Sequence, residues 1–173
     1  MMTERLGWGP PADGDDDLIS ALYEVLGSTE TDQVIFFRDL AHAPIDPDGK
    51  LPDDELVVPL AGAWYQPDEV AGDVRAGLVT WLRSWGARVI RGGLTDEQRR
   101  RRMDELNPRF VLRNYLAQEA IDAATAGDPG LVHELLDVLR RPYTEQPGRE
   151  RFAARRPEWA RHKVGCSMLS CSS

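Results

Sequence analysis

Between Pro67 and Gly86 the apolar residues Val70, Val74, Leu78, Trp81, Leu82 and Trp85 step by three and four. A strand alternates faces at every residue and cannot gather that set on one side, whereas a helix does so directly. The spacing predicts an amphipathic helix with Pro67, Asp68 and Glu69 in its first turn and a stop near Gly86.

The same period recurs elsewhere, and strand signals hardly appear. Asp15 to Asp17 lead into LISALYEVLG, with Leu18, Leu22 and Val25 on one stripe and Ile19, Leu22 and Leu26 beside it, closed by Gly27. TDQVIFFRDLAHA reads as a helix from an N-cap at Thr31, although its Val-Ile-Phe-Phe centre also suits a short strand. Thr95-Asp96-Glu97-Gln98 is a capping box opening a polar surface helix toward Leu106. Asn107-Pro108 caps a longer helix through FVLRNYLAQEAIDAATAG. Its two apolar stripes, Phe110, Ala117, Ile121 and Ala124 beside Leu112, Leu116, Ala120 and Ala123, call for neighbours on two sides. Asp128-Pro129 starts another, with Leu131, Leu135, Val138 and Leu139 as its buried face, and PEWARH forms a short last helix. The expected fold class is mainly α. The stretch 44–54, dense in proline, glycine and aspartate, is the candidate internal linker.

With 173 residues, 42% of them hydrophobic, the chain suits one globular domain rather than two. No apolar run approaches the roughly 18 residues that span a bilayer. The N-terminus lacks the basic start and apolar middle of a secretory signal, so a cytoplasmic location and no membrane partner are expected. Charge is unevenly spread: residues 1–60 carry 3 basic and 14 acidic side chains, the remainder 18 basic and 15 acidic. Arg99 to Arg102 sit among Asp96, Glu97, Asp104 and Glu105 at helical spacing, and that pairing uses up much of their charge. Phosphate contacts need a sustained basic surface, so nucleic acid is not an expected partner.

Motifs that carry chemistry are absent from the body of the sequence. It has no phosphate-binding GxxxxGK[ST], no GxGxxG after a strand, no kinase catalytic or metal-binding triplet, no GxSxG elbow and no HExxH helix. His162, Cys166 and Cys171 match no strong zinc spacing and lack a fourth ligand. Asp13, Asp15, Asp16 and Asp17 lack the alternation and central glycine of a calcium loop and suit a helix N-terminus instead. No catalytic, cofactor-binding or metal-ligating residue is therefore expected in this chain. Arg113 and Asn114, polar within an apolar segment, read as groups that bond helix to loop.

The end of the chain is different. Cys171 stands two residues from the carboxyl terminus, after Arg155, Arg156, Arg161, His162 and Lys163, and nearby cations favour the reactive thiolate. Residues 166–173 are expected to form a flexible, redox-regulatory tail. Cys166 is either a local resolving thiol for Cys171 or an incidental difference.

Asn107-Pro108, Val111-Leu112-Arg113-Asn114-Tyr115-Leu116, Ala120-Ile121, Leu139, Pro142-Tyr143, Pro157-Glu158-Trp159-Ala160 and a terminal Cys-Ser-Ser follow one another in this chain. Leu6-Gly7 ahead of an acidic, leucine-rich helix and Thr31 ahead of Phe36-Phe37-Arg38 precede them. Together these resemble the C-terminal region of the selenoprotein O family. The resemblance implies that residues 1–165 are the helical C-terminal part of a protein-kinase-like (pseudokinase) fold, and an incomplete one. It implies a parent protein that uses ATP and Mg2+ to transfer AMP to serine, threonine or tyrosine hydroxyls of proteins. Its nucleotide- and metal-binding residues belong to the portion upstream of Met1, which this chain would need as a partner, in cis or as a separate chain. The resemblance also places Cys171 at the family's selenocysteine or cysteine position, able to form a regulatory disulfide with a cysteine near the active site.

Three functions of different classes follow as expectations. The chain is the C-terminal part of a protein adenylyltransferase and inactive alone, a stand-alone thiol switch through Cys166 and Cys171, or a helical module complementing a separately encoded kinase-like half. Helices as widely apolar as that around Phe110 to Ala124 favour a larger parent, since an isolated piece would expose apolar patches.

Overall fold

The computed structural model describes residues 2–163 and residue 166. It contains eight α-helices among those residues: α1 (Met2–Arg5), α2 (Asp15–Gly27), α3 (Gln33–Leu40), α4 (Asp53–Val57), α5 (Gly72–Arg91), α6 (Asp96–Leu106), α7 (Asn114–Thr125) and α8 (Gly130–Leu139). Short 3-10 turns fill Val58–Ala63, Pro67–Glu69, Glu150–Phe152 and Glu158–Ala160. Extended pairing among the described residues is limited to an isolated antiparallel bridge between Thr31 and Trp64. The mainly α expectation agrees with this architecture.

The chain divides into two compact units, Met1–Asn107 and Pro108–Ser173. The break follows Asn107. The stretch 44–54 lies inside the first unit, where buried Asp46 accepts the backbone N–H groups of Lys50 at 2.9 Å and Leu51 at 3.1 Å and so folds the loop on itself.

In the first unit α2 and α4 lie against α5, α1 against α6, and α3 against the 58–63 turn. Trp8, Leu22, Phe36, Phe37, Trp81 and Trp85 fill its core. Trp81 and Trp85 stack with centroids 6.3 Å apart, and each indole N–H donates at 2.9 Å to a backbone carbonyl, of Leu18 and of Leu6 respectively. A buried indole needs such an acceptor, so these bonds fix where the N-terminal segment crosses α5. Phe36 and Phe37 meet edge-to-face at 5.8 Å, a geometry worth about 0.5–1.5 kcal/mol beyond burial. That packing settles the helix-or-strand ambiguity of this segment in favour of helix. Its N-cap is Asp32, which accepts from the Ile35 N–H at 3.2 Å, rather than the expected Thr31. Thr31 is engaged in the bridge to Trp64.

Two further expectations shift by a turn or more. The helix expected from Pro67 to Gly86 begins at Gly72, after a separate 3-10 turn, and runs through to Arg91. Gly86 sits inside α5 where the 45–47 backbone passes over it, and a Cβ there would lie 3.4 Å from the Asp46 nitrogen. The glycine therefore serves close packing, not termination. The helix after Asn107 starts only at Asn114, because the Arg109 and Phe110 N–H groups donate to the Pro142 carbonyl at 2.8 and 3.0 Å.

α6 follows its capping box, with Thr95 accepting from Gln98 N–H at 3.2 Å and Gln98 accepting from Thr95 N–H at 3.0 Å. It is not wholly a surface helix. Arg99 and Met103 are completely buried, while Arg100, Arg101 and Arg102 are exposed. The Arg99 guanidinium reaches the carbonyls of Leu40 and Ala43, both at 3.4 Å, and Asp96 at 2.6 Å, and lies 5.2 Å from the Trp85 ring centre.

In the second unit α7 packs on α8 around Phe110, Tyr115, Leu116, Ala120, Leu135, Val138 and Phe152. One stripe of α7 is covered, through Leu116 and Ala120. The other is open, with Ile121 at 57% exposure. On α8, Leu135 and Val138 are buried, Leu131 and Leu139 are half-buried, and Val132 faces solvent.

Candidate functional site

The side chains singled out by the sequence for chemistry are the two cysteines. Cys166 is a free thiol held within the second unit's apolar cluster, at 5% exposure, beside the residues that line α7 and α8. Its N–H donates to the Lys163 carbonyl at 3.0 Å, closing a turn that brings the sulfur inward. Packed among Phe, Leu and Ala side chains, the cysteine fills this position as a small hydrophobe. Cys171 lies outside the described residues.

Two of the cations ahead of the tail, Lys163 and Arg161, have carboxylate partners. Lys163 donates to Asp122 at 2.8 Å and stands 5.4 Å from the Trp159 ring centre. That hydrogen bond holds the Asp122 carboxyl below its ordinary range and lifts the Lys163 ammonium above its own. Arg161 approaches Glu158 at 3.9 Å. His162 is exposed. Trp159 meets Tyr115 edge-to-face at 6.3 Å, and the Tyr115 hydroxyl donates to the Ala154 carbonyl at 3.1 Å, so the last 3-10 turn is pinned onto α7.

Two clefts open on this unit. One, of about 390 Å³, is flanked by Arg140, Arg141 and Arg149. Arg140 pairs with Asp137 at 3.1 Å, Arg149 pairs with Glu134, and Gln146 closes the floor by donating to the Val138 and Arg141 carbonyls. The second, of about 290 Å³, lies between Tyr115, Trp159, Arg151 and Arg155, with Glu119 on its rim. A single carboxylate lines each cleft, Asp137 in the first and Glu119 in the second.

Among the described residues no three His, Cys, Asp or Glu side chains converge as a metal site. Within the acidic N-terminal cluster Asp15 is structural: it is buried, accepts the Ala12 N–H at 2.9 Å and pairs with Arg88. The arginine bond is the main cause of its carboxyl lying below the ordinary range. Arg113 is the N-cap residue of α7, and Asn114 is exposed at its first position.

Sequence reasoning missed a buried polar framework in the first unit. Arg38 bonds the Asp104 and Asn107 carbonyls at 2.8 and 3.2 Å, and Arg5 bonds the Asn107 side chain at 2.9 Å. Asn107 answers by donating to the Arg5 carbonyl at 2.8 Å. Isolated arginines spaced along a chain leave no periodic signal, so only their tertiary partners reveal them.

No family model matches the chain. Whole relatives do. Over 180 aligned residues the chain is 48% identical to a protein of Rhodopirellula baltica named protein nucleotidyltransferase YdiU, a match taking in 100% of this chain and 33% of that protein. Over its full length the chain matches the YdiU proteins of the selenoprotein O family. Its YdiU relative in Aromatoleum aromaticum is 48% identical over 173 residues, covering 100% of this chain and 32% of the relative. That of Xanthomonas axonopodis pv. citri is 48% identical over 169 residues, covering 98% and 31%. The chain thus spans about a third of the length of the curated relatives it matches. The match falls in the C-terminal third of these family members, and a helical part of a larger protein fits it. Among the described residues, no helix is long and apolar enough to cross a membrane.

Proposed function

We propose that the chain works as the C-terminal helical part of a protein nucleotidyltransferase that moves AMP from ATP to hydroxyl groups of proteins. It supplies packing to a kinase-like lobe and a tail thiol, Cys171, for redox control, and it supplies no catalytic group. ATP and Mg2+ are held by the portion that precedes the matched segment in the relatives, and the location is cytoplasmic.

The observation that carries this reading is the 48% identity over the whole chain to proteins named protein nucleotidyltransferase. The open second stripe of α7 supports it, because a helix apolar on two sides is suited to a larger body.

The test is transfer of labelled AMP from ATP to protein. Three proteins are compared: this chain alone, the Rhodopirellula baltica relative without its matching last third, and the full-length protein in which this chain replaces that third. The expected result is transfer by the full-length protein only. Transfer by the chain alone, or none by the full-length protein, overturns the reading.

A further inference from the structure

We propose that the arginine-lined cleft at the C-terminal end of α8 is a binding site for a phosphate group, carried as a phosphate monoester on a protein or present as free phosphate.

The cleft has a volume of about 390 Å³, a size within the about 300–1,000 Å³ of small-molecule sites. It lies wholly within the second unit. The guanidiniums of Arg140, Arg141 and Arg149 line it against a single lining carboxylate, Asp137. Even with Glu134, the partner of Arg149, three cations meet two anions, and the cleft keeps a net positive charge.

These arginines are only partly used. Arg140 meets Asp137 through Nη1, and Arg149 meets Glu134 through Nη1. A guanidinium carries five N–H donors, so each keeps its remaining nitrogens for a second anion. The Arg140–Asp137 pair is also weak, its side chains being 65% and 66% exposed. Arg141 is exposed and pairs with no carboxylate among the described residues.

Arginines that follow a helix can serve the helix itself by answering its last carbonyls. Here Gln146 does that work, its Nε2 donating to the Val138 carbonyl at 3.0 Å and the Arg141 carbonyl at 2.9 Å. The amide covers carbonyl dipoles that would repel an anion, and the guanidiniums are left to the cleft.

The number of forks selects the ligand. A carboxylate has two oxygens and one charge, and a single guanidinium satisfies it. A phosphate monoester brings close to two charges and three strong acceptor oxygens, which match three guanidiniums around one space. A phosphodiester offers one charge, and the chain lacks the sustained basic surface that nucleic acid needs.

Isothermal titration calorimetry on this chain at neutral pH tests the proposal with four probes: inorganic phosphate, a short glycine-serine peptide phosphorylated on its serine, the same peptide without phosphate, and dimethyl phosphate. The expected result is saturable one-to-one binding of a phosphate probe, none of the plain peptide, and at least tenfold weaker binding of dimethyl phosphate. Tighter binding of the phosphopeptide than of inorganic phosphate identifies a phosphorylated protein as the source; equal or weaker binding identifies free phosphate.

Arg141→Ala and Arg140→Ala should each weaken binding by about tenfold, the order of one charged hydrogen bond. Arg141→Lys, which keeps the charge and loses the fork, should weaken it several-fold, and Arg101→Ala on α6 should leave it unchanged. All four positions are exposed, and unchanged melting temperatures show that the variants are folded. Absence of saturable binding by either phosphate probe overturns the proposal. So does dimethyl phosphate binding as tightly as inorganic phosphate, or a loss in Arg101→Ala equal to that in Arg141→Ala.

Discussion

Arg88 of α5 grips Asp15 at the start of α2, with its Nε 2.5 Å from one carboxylate oxygen and its Nη2 3.0 Å from the other, both side chains being buried. The second amino group contact extends to the Pro10 carbonyl at 2.7 Å, and the guanidinium lies 5.3 Å from the Trp8 ring centre. One ion pair therefore ties the N-terminal loop, α2 and α5 together.

Asp15→Asn leaves Arg88 buried without its counter-charge, a loss expected to cost about 3–5 kcal/mol. The Asp15 carboxyl is depressed in the folded state. Its contribution is accordingly complete above the ordinary carboxylate value, near 3.9, and is lost as pH falls through the lower folded value. Urea unfolding of both proteins across acid pH checks this: the gap between them should be widest at neutral pH and narrow in strong acid.

The four-arginine run divides sharply. Arg99→Ala strips the Ala43 carbonyl of its arginine donor, at about 1–3 kcal/mol, while the Leu40 carbonyl keeps the Ala43 N–H at 3.2 Å. Arg101→Ala, at an exposed position, should change stability by no more than about 0.5 kcal/mol. Equal effects in denaturant titration would contradict the burial of Arg99.

Gly7 has φ of +71°, and a Cβ there would stand 2.6 Å from the Met103 sulfur and 2.7 Å from Arg99 Cγ. Gly14 has φ of +85° with open space around it. Gly14→Ala should cost only the conformational penalty, about 1–2 kcal/mol. Gly7→Ala should cost clearly more, since Arg99 and Met103 must also move. Melting temperatures of the two variants decide the comparison.

Cys166 should resist alkylation in the folded chain and react rapidly once unfolded, because the apolar cluster shields it. Peptide-resolved labelling with iodoacetamide, with and without urea, reads this directly. Fast labelling of Cys166 without urea would contradict its placement in the core and restore it as a resolving thiol.

What the sequence made legible was governed by local chemistry. The capping box at Thr95 and Gln98, the aspartates opening α2 and the three-four spacing through Trp81 and Trp85 each act within a few residues, and each is where the spacing puts it. Gly86 was misread as a stop because its reason lies forty residues away, in the Asp46 backbone. Arg99 was misread as a surface charge for the same reason, its partners being Leu40, Ala43 and Trp85. The start of α7 depended on the Pro142 carbonyl, which no window around Asn107 contains. At the thiols, sequence order put Lys163 beside Cys166, while folding gave that ammonium to Asp122.

The central claim, that this chain serves as part of a longer nucleotidyltransferase, is tested most directly by its native mass in the source cells. An antibody to the tail sequence, applied after native size separation, reads it without altering the protein. The account predicts a species well above 19.4 kDa, in keeping with relatives about three times as long. A free monomer of 19.4 kDa as the sole species would contradict it.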